Sequence, residues 1–162
     1  EYDDSYTEEI YPQLLKYLFM WFDFMVHHYG EKRINFAPGG SDIDIGISSL
    51  WINFQRMFDH NPPHQHSGIV SFVIYLDVPP EIFTVQAKSN VQDAGHIVFK
   101  YGESISPLSV SMWNVVPENN LILLFPATLD HMVHPFWVDK ERISVSGNFN
   151  LTNKVAVSLN GA

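Results

Sequence analysis

Cysteine occurs nowhere in the 162 residues. That excludes disulfides, thiolate metal sites and a cysteine nucleophile, and it suits a reducing cytoplasm. Basic residues are scarce: nine Lys and Arg stand against eighteen Asp and Glu, for a formal charge of −9. A nucleic acid or an anionic membrane needs a basic footprint to bind, so neither is expected as a partner. Long apolar runs are missing too. The most apolar segment, "IYPQLLKYLFMWFDFMV" (residues 10–26), is interrupted by Lys16 and Asp23. It falls short of the ~20 clean apolar residues of a membrane span, and it has neither the basic start nor the cleavage site of a signal peptide. It reads as a buried or docking helix, with Pro12 near its first turn and Gly30 just past its end. The start at Glu1 rather than methionine reads as a trimmed or processed product.

What is present is the making of a globular core. Hydrophobic residues are 46% of the chain and charged residues 17%, and aromatics reach 14%, which favours a sheet-rich interior or an apolar pocket. After the helix and the turn-rich "FAPGGSDIDIG" (36–46), the pattern is one of strands. "SLWINFQRMF" (49–58) alternates, with Leu50, Ile52 and Phe54 against Trp51, Asn53 and Gln55. "GIVSFVIYLDV" (68–78) is β-branched and aromatic until Pro79 and Pro80 stop it. Further strands are expected at 82–88, 96–101, 108–116, 120–125, 142–149 and 154–159, with turn signals between them. The spacing predicts a mainly β fold, an antiparallel sandwich or jelly roll, as a single domain over 1–162. Residues 1–40 would be a helical support packed outside a core at 45–160.

Chemistry concentrates in two histidine clusters. "HNPPHQHSG" (60–68) carries His60, His64 and His66 at the mouth of an apolar strand. Alternate residues of an extended chain share a face, about 6.5 Å apart, so His64 and His66 can converge on one ion. Imidazole suits iron, zinc, copper or nickel and does not choose among them. Far downstream, "FPATLDHMVHP" (125–135) supplies His131 and His134 after another buried-looking strand. Strands paired in a barrel could bring the two clusters together. The remaining histidines, His27, His28 and His96, read as ordinary hydrogen-bonded residues.

A third element is "ERISVSGNF" (141–149), where Arg142 shares a strand face with Ser144 and Ser146. A guanidinium turned into a barrel requires an anion, and arginine binds carboxylates bidentately with a serine hydroxyl as a further donor. The alternative is an edge strand with Arg142 in solvent, paired to Glu141 or Asp139.

The order "WIN", "NPPHQHSG" with "SFVIYLDVP", "FPATLDHMVHP" and "ERISVSGN" resembles the 2-oxoglutarate- and Fe(II)-dependent oxygenases. More narrowly it is similar to the small prolyl-4-hydroxylase-like proteins encoded by tailed phages. The resemblance covers about residues 49–149 and implies a double-stranded β-helix with its metal and cosubstrate at one open end. It implies His64, His66 and His131 as iron ligands, with His66 where most relatives carry an aspartate or glutamate. Asp59 or Asp130 is the carboxylate alternative. Arg142 would grip the far carboxylate of 2-oxoglutarate, helped by Ser144 and the Tyr75 hydroxyl, and Asn53 would face the same mouth.

The function so implied is oxidative decarboxylation of 2-oxoglutarate to succinate, coupled by dioxygen to hydroxylation of a C–H bond in a peptide or small molecule. The setting would be a cytoplasm, that of the host for a phage protein. A three-histidine cupin-like dioxygenase needing no 2-oxo acid would explain His66 better and Arg142 worse. A non-catalytic metal-binding jelly-roll interaction module would keep the fold and an ion but lose catalysis. The aromatic N-terminal helix suits an interaction role or a homodimer contact.

Overall fold

The computed structural model describes residues 4–29, 43–84, 93–102 and 110–153. They form one long helix, α1 (Asp4–Tyr29), and eight strands: β1 (Ile43–Gln55), β2 (Asn61–His64), β3 (Val70–Asp77), β4 (Ile97–Lys100), β5 (Met112–Val115), β6 (Ile122–Pro126), β7 (Asp130–Val133) and β8 (Arg142–Asn153). A short 3-10 helix covers Pro80–Phe83. The chain divides into two compact units, 48–150 and a smaller one made of 1–47 with 151–162.

In the smaller unit α1 starts earlier and ends later than the apolar run suggests, so Pro12 sits inside the helix rather than in its first turn. A proline there withholds one backbone donor, which a helix this long tolerates better than a short one. Leu14, Leu18 and Phe22 recur at helical spacing and are buried. Among the described residues no helix is long and apolar enough to cross a membrane. Gly30 and the expected strand at 154–159 lie outside the described residues.

The larger unit is built on two antiparallel four-stranded sheets, in the orders β1-β8-β3-β6 and β2-β7-β4-β5. Consecutive strands alternate between sheets for β1 to β4, which is the winding of a jelly roll. The fold is therefore mainly β, as the strand spacing predicts. Between the sheets lies one apolar cluster drawn from both: Val73 and Tyr75 of β3 and Phe125 of β6 meet Ile97 and Phe99 of β4 and Val133 of β7. Close approach also matters. A Cβ on Gly147 of β8 would lie 2.5 Å from the Phe72 ring and 2.6 Å from the Ser49 carbonyl, so only glycine fits there.

Two strands escaped the sequence pattern. β2 reads Asn-Pro-Pro-His, which looks like a turn, and β7 is four residues with a charged start. Neither has the length or alternation that announces a strand, and both are held by pairing with neighbours. Residues 82–84, expected to begin a strand, instead finish and cap the 3-10 turn that follows Pro79; positions 85–88 lie outside the described residues. In β1 the face turned to the interior is the polar one of Asn53 and Gln55, while Ile52 and Phe54 are exposed. The reason is what the interior holds at that end.

Candidate metal and cosubstrate site

Pairing of β2 with β7 sets His64 opposite His131, and β7 continues the sheet by pairing His131 with Phe99 of β4. His66 follows two residues after β2, fixed by its backbone N–H to the Ala127 carbonyl at 2.9 Å. The ligand atoms of His64, His66 and His131 all lie within 4.8 Å of one another. Their ring centroids are 4.3 to 5.0 Å apart. This is the one group of three metal-ligating side chains among the described residues, and no carboxylate belongs to it. Asp59 accepts instead from the Arg56 backbone N–H at 2.9 Å, and Asp130 from the Gln65 amide at 2.8 Å.

The rings are prepared as ligands. Nδ1 of His64 sits 2.7 Å from the Pro62 carbonyl, and Nδ1 of His131 sits 2.9 Å from the Leu129 carbonyl. A carbonyl only accepts, so each Nδ1 carries the proton and each Nε2 keeps its lone pair for an ion. His131 is 4% exposed and packs against the Phe125 ring at 4.9 Å. Burial, only partly offset by the Leu129 hydrogen bond, lowers its pKa to about 4. His66 is lowered as well, by burial first and by its neighbour His64 second. Neutral imidazoles held together in a half-dry site fit a borderline divalent cation such as Fe(II).

Arg142, the first residue of β8, is 4% exposed. It donates to the Gly95 carbonyl, its guanidinium carbon lies 5.2 Å from the centre of the Tyr75 ring, and its Nε is buried without a partner among the described residues. No carboxylate pairs with it among the described residues: Glu141 goes to Arg56 at 2.8 Å. Burial lowers the pKa of this guanidinium, and only the Tyr75 phenol opposes that. A cation so enclosed with an open donor demands an anion. Ser144 and Tyr75, both buried, are cross-strand partners in β8 and β3. Burial raises the Tyr75 pKa, so its hydroxyl remains a donor. Asn53 of β1 donates to the Ser146 hydroxyl at 3.0 Å.

One cavity of about 520 Å³ joins these parts: the three imidazoles, Arg142, Ser144, Tyr75 and Asn53 all line it. That is why β1 turns amides inward. His60 borders the cavity without joining the cluster, and His134 points elsewhere, its Nδ1 3.2 Å from the Asp93 carbonyl. Sequence reasoning missed Gly95, whose carbonyl orients Arg142 from a left-handed backbone position (φ 71°); the "DAGH" turn was its only signal. It also missed Trp51, with its ring 5.4 Å from His66, and Phe58 at the cavity edge.

In this jelly roll, three imidazoles and a buried arginine without a carboxylate partner among the described residues surround one cavity, an arrangement that fits a metal ion beside a small dicarboxylate. The 2OG-Fe(II) oxygenase family model matches residues 49–148, well over half of the chain, and the chain belongs to that family. The membership implies Fe(II) and 2-oxoglutarate as cofactors. Among solved structures, it is similar to an oxidoreductase of the 2OG-Fe(II) oxygenase family from Burkholderia pseudomallei, at 17% identity and TM-score 0.49 over 69% of this chain and 47% of that one. It is similar also to a non-haem monooxygenase, ThoJ, as its nickel complex, at 10% identity and TM-score 0.46 over 72% of this chain and 49% of that one. The chain thus spans about half the length of these two structures. No curated protein matches it significantly.

Proposed function

We propose that the chain is a 2-oxoglutarate- and Fe(II)-dependent dioxygenase acting as a hydroxylase. His64, His66 and His131 would hold the iron through Nε2 atoms left free by the carbonyls behind the first and last of them. Arg142, Ser144 and Tyr75 would receive the far carboxylate of the cosubstrate, with Asn53 at the cavity wall. Bound iron and 2-oxoglutarate supply dioxygen activation, in which oxidative decarboxylation to succinate and carbon dioxide is coupled to oxidation of a substrate C–H bond. The protein orients both groups, and Phe99, Phe125 and Val133 keep water from one side of the site.

The observation that carries this reading is the buried guanidinium without a carboxylate, opening into the same cavity as the imidazoles. Three neutral ligands leave the ion its full double positive charge, of which one carboxylate of the cosubstrate would offset half while the other pairs with Arg142. A prolyl-hydroxylase-like reaction is the finer form, supported by the sequence likeness alone. The absence of a carboxylate among the clustered ligands favours a second reading, a cupin-like dioxygenase that uses no 2-oxo acid; it leaves Arg142 without a task.

Protein loaded anaerobically with Fe(II), then given oxygen and 2-oxoglutarate, is expected to release succinate slowly even without its primary substrate. Oxygen consumption that ignores 2-oxoglutarate would transfer the case to the cupin reading. Metal binding with neither would leave a structural module.

A further inference from the structure

Phe58 joins two features that rarely coincide in a phenylalanine: a left-handed backbone (φ 71°) and a ring 59% exposed at the border of the cavity. A bulky residue at positive φ is strained and persists only where its surroundings fix it. Here the turn is pinned from several sides. The Phe58 N–H donates to the Phe136 carbonyl at 2.9 Å, and the Asp59 carboxylate accepts the Arg56 N–H at 2.9 Å. The Gln55 amide donates to the Asp59 and His134 carbonyls at 2.7 and 3.1 Å. Glycine or asparagine would make the same backbone bonds with less strain, so the turn does not explain the ring.

These bonds leave acceptors open. Carbonyls only accept, so both N–H groups of Gln55 are spent and its amide cannot be turned round. Its Oε1 is left buried with no partner among the described residues, on a side chain that lines the cavity. An unmet buried acceptor favours a ligand that brings N–H groups. The Asp59 carboxylate lines the same cavity and is exposed; a carboxylate can accept about four hydrogen bonds, so the Arg56 N–H does not exhaust it. Among the described residues lining the cavity, Asp59 and Arg142 alone are formally charged, counting histidine as neutral. Arg142 is buried and suits the cosubstrate, while Arg56 spends its Nε on Glu141 at 2.8 Å. This part of the cavity therefore offers a carboxylate, an amide oxygen and the negative face of a phenyl ring, all of which attract a cation.

We propose that Asp59, Gln55 and Phe58 form the subsite for the primary substrate, and that it receives an alkylammonium group, an –NH3+ head on an uncharged carbon chain. The inference rests on the oxygenase reading above and names the substrate class of the same site. Charge sets the orientation. The ferrous ion and Arg142 together carry three positive charges and the cosubstrate offsets two; the one left repels the ammonium while Asp59 attracts it. The carbon chain then lies toward the ion, along Trp51, whose ring is 5.4 Å from that of His66. The formal charge of −9 favours the approach of a cation over that of an anion.

The test is calorimetry on the full chain loaded anaerobically with Fe(II) and saturating 2-oxoglutarate. Hexylammonium, hexanol and hexanoate share one carbon chain and differ in the head group. Hexylammonium is expected to bind about tenfold more tightly than hexanol, and hexanoate more weakly than either. Asp59→Asn keeps an acceptor for the Arg56 N–H and removes the charge, so it should erase the advantage of hexylammonium over hexanol. Phe58→Asn should weaken hexylammonium about fivefold while the melting temperature holds or rises. Hexanol or hexanoate binding as tightly as hexylammonium, no binding of hexylammonium, or wild-type affinity for it in either variant would overturn the proposal. If the wild type prefers the ammonium but makes no succinate when oxygen is admitted, the oxygenase reading falls and the subsite stands. Succinate without ammonium preference gives the reverse.

Discussion

His64 and His131 are 67 positions apart in the chain and direct partners across the β2–β7 ladder, their ring centroids 4.3 Å apart. The pairing is what turns two histidine-bearing segments into one donor set, and its consequences can be measured.

Removing a ligand should disable the ion site. His64→Ala and His131→Ala are expected to lower Fe(II) affinity by at least on the order of 100-fold, since losses of up to that size follow from changes one shell further out. Asp130→Asn, next to His131 but bonded to Gln65, should retain iron. Metal analysis after desalting decides it: full iron content in His131→Ala would remove that ring from the ion.

Arg142→Ala should spare the metal and weaken 2-oxoglutarate. A charge-assisted, two-pronged contact in a buried site is worth about 3 kcal/mol, or roughly 100-fold in affinity. Arg142→Lys should recover part of this, as lysine keeps the charge but not the planar fork. Titration of iron-loaded protein with 2-oxoglutarate would show it, and wild-type affinity in the alanine variant would defeat the assignment.

The metal-free protein should lose stability in mild acid. Burial holds the His131 pKa near 4, against 6.5 for an ordinary histidine. Between those values the unfolded chain binds a proton that the folded chain refuses, so unfolding becomes easier as pH falls from about 6.5 toward 4. His66 adds to the effect in the same direction. Thermal melts of chelator-treated protein should decline across this window, and His131→Asn should flatten the decline. Identical pH profiles for the two proteins would contradict it.

The strand spacing, the inward Arg142 with its serines and the two histidine clusters are all legible in the sequence, because each is a short-range pattern of residue type. Which histidines meet is legible in part: the two-residue spacing singles out His64 and His66, and the family resemblance adds His131. That His131 rather than His134 stands opposite His64 is a matter of register, which pairing across the whole sheet decides. β2 is illegible for a related reason: two prolines disguise it, and only β7 makes it a strand. Gly95 and Phe58 occupy left-handed backbone positions that residue type alone does not reveal, least of all for phenylalanine.

Those two prolines have a further effect. Neighbouring residues of a strand present their N–H groups to opposite sides, so of Pro62 and Pro63 one must lack its donor toward β7 and the other toward the side where no described strand pairs. The first accounts for the irregular pairing between Asn61 and His64. The second blunts the border beside the three imidazoles, so that a second extended chain cannot zip onto it in register.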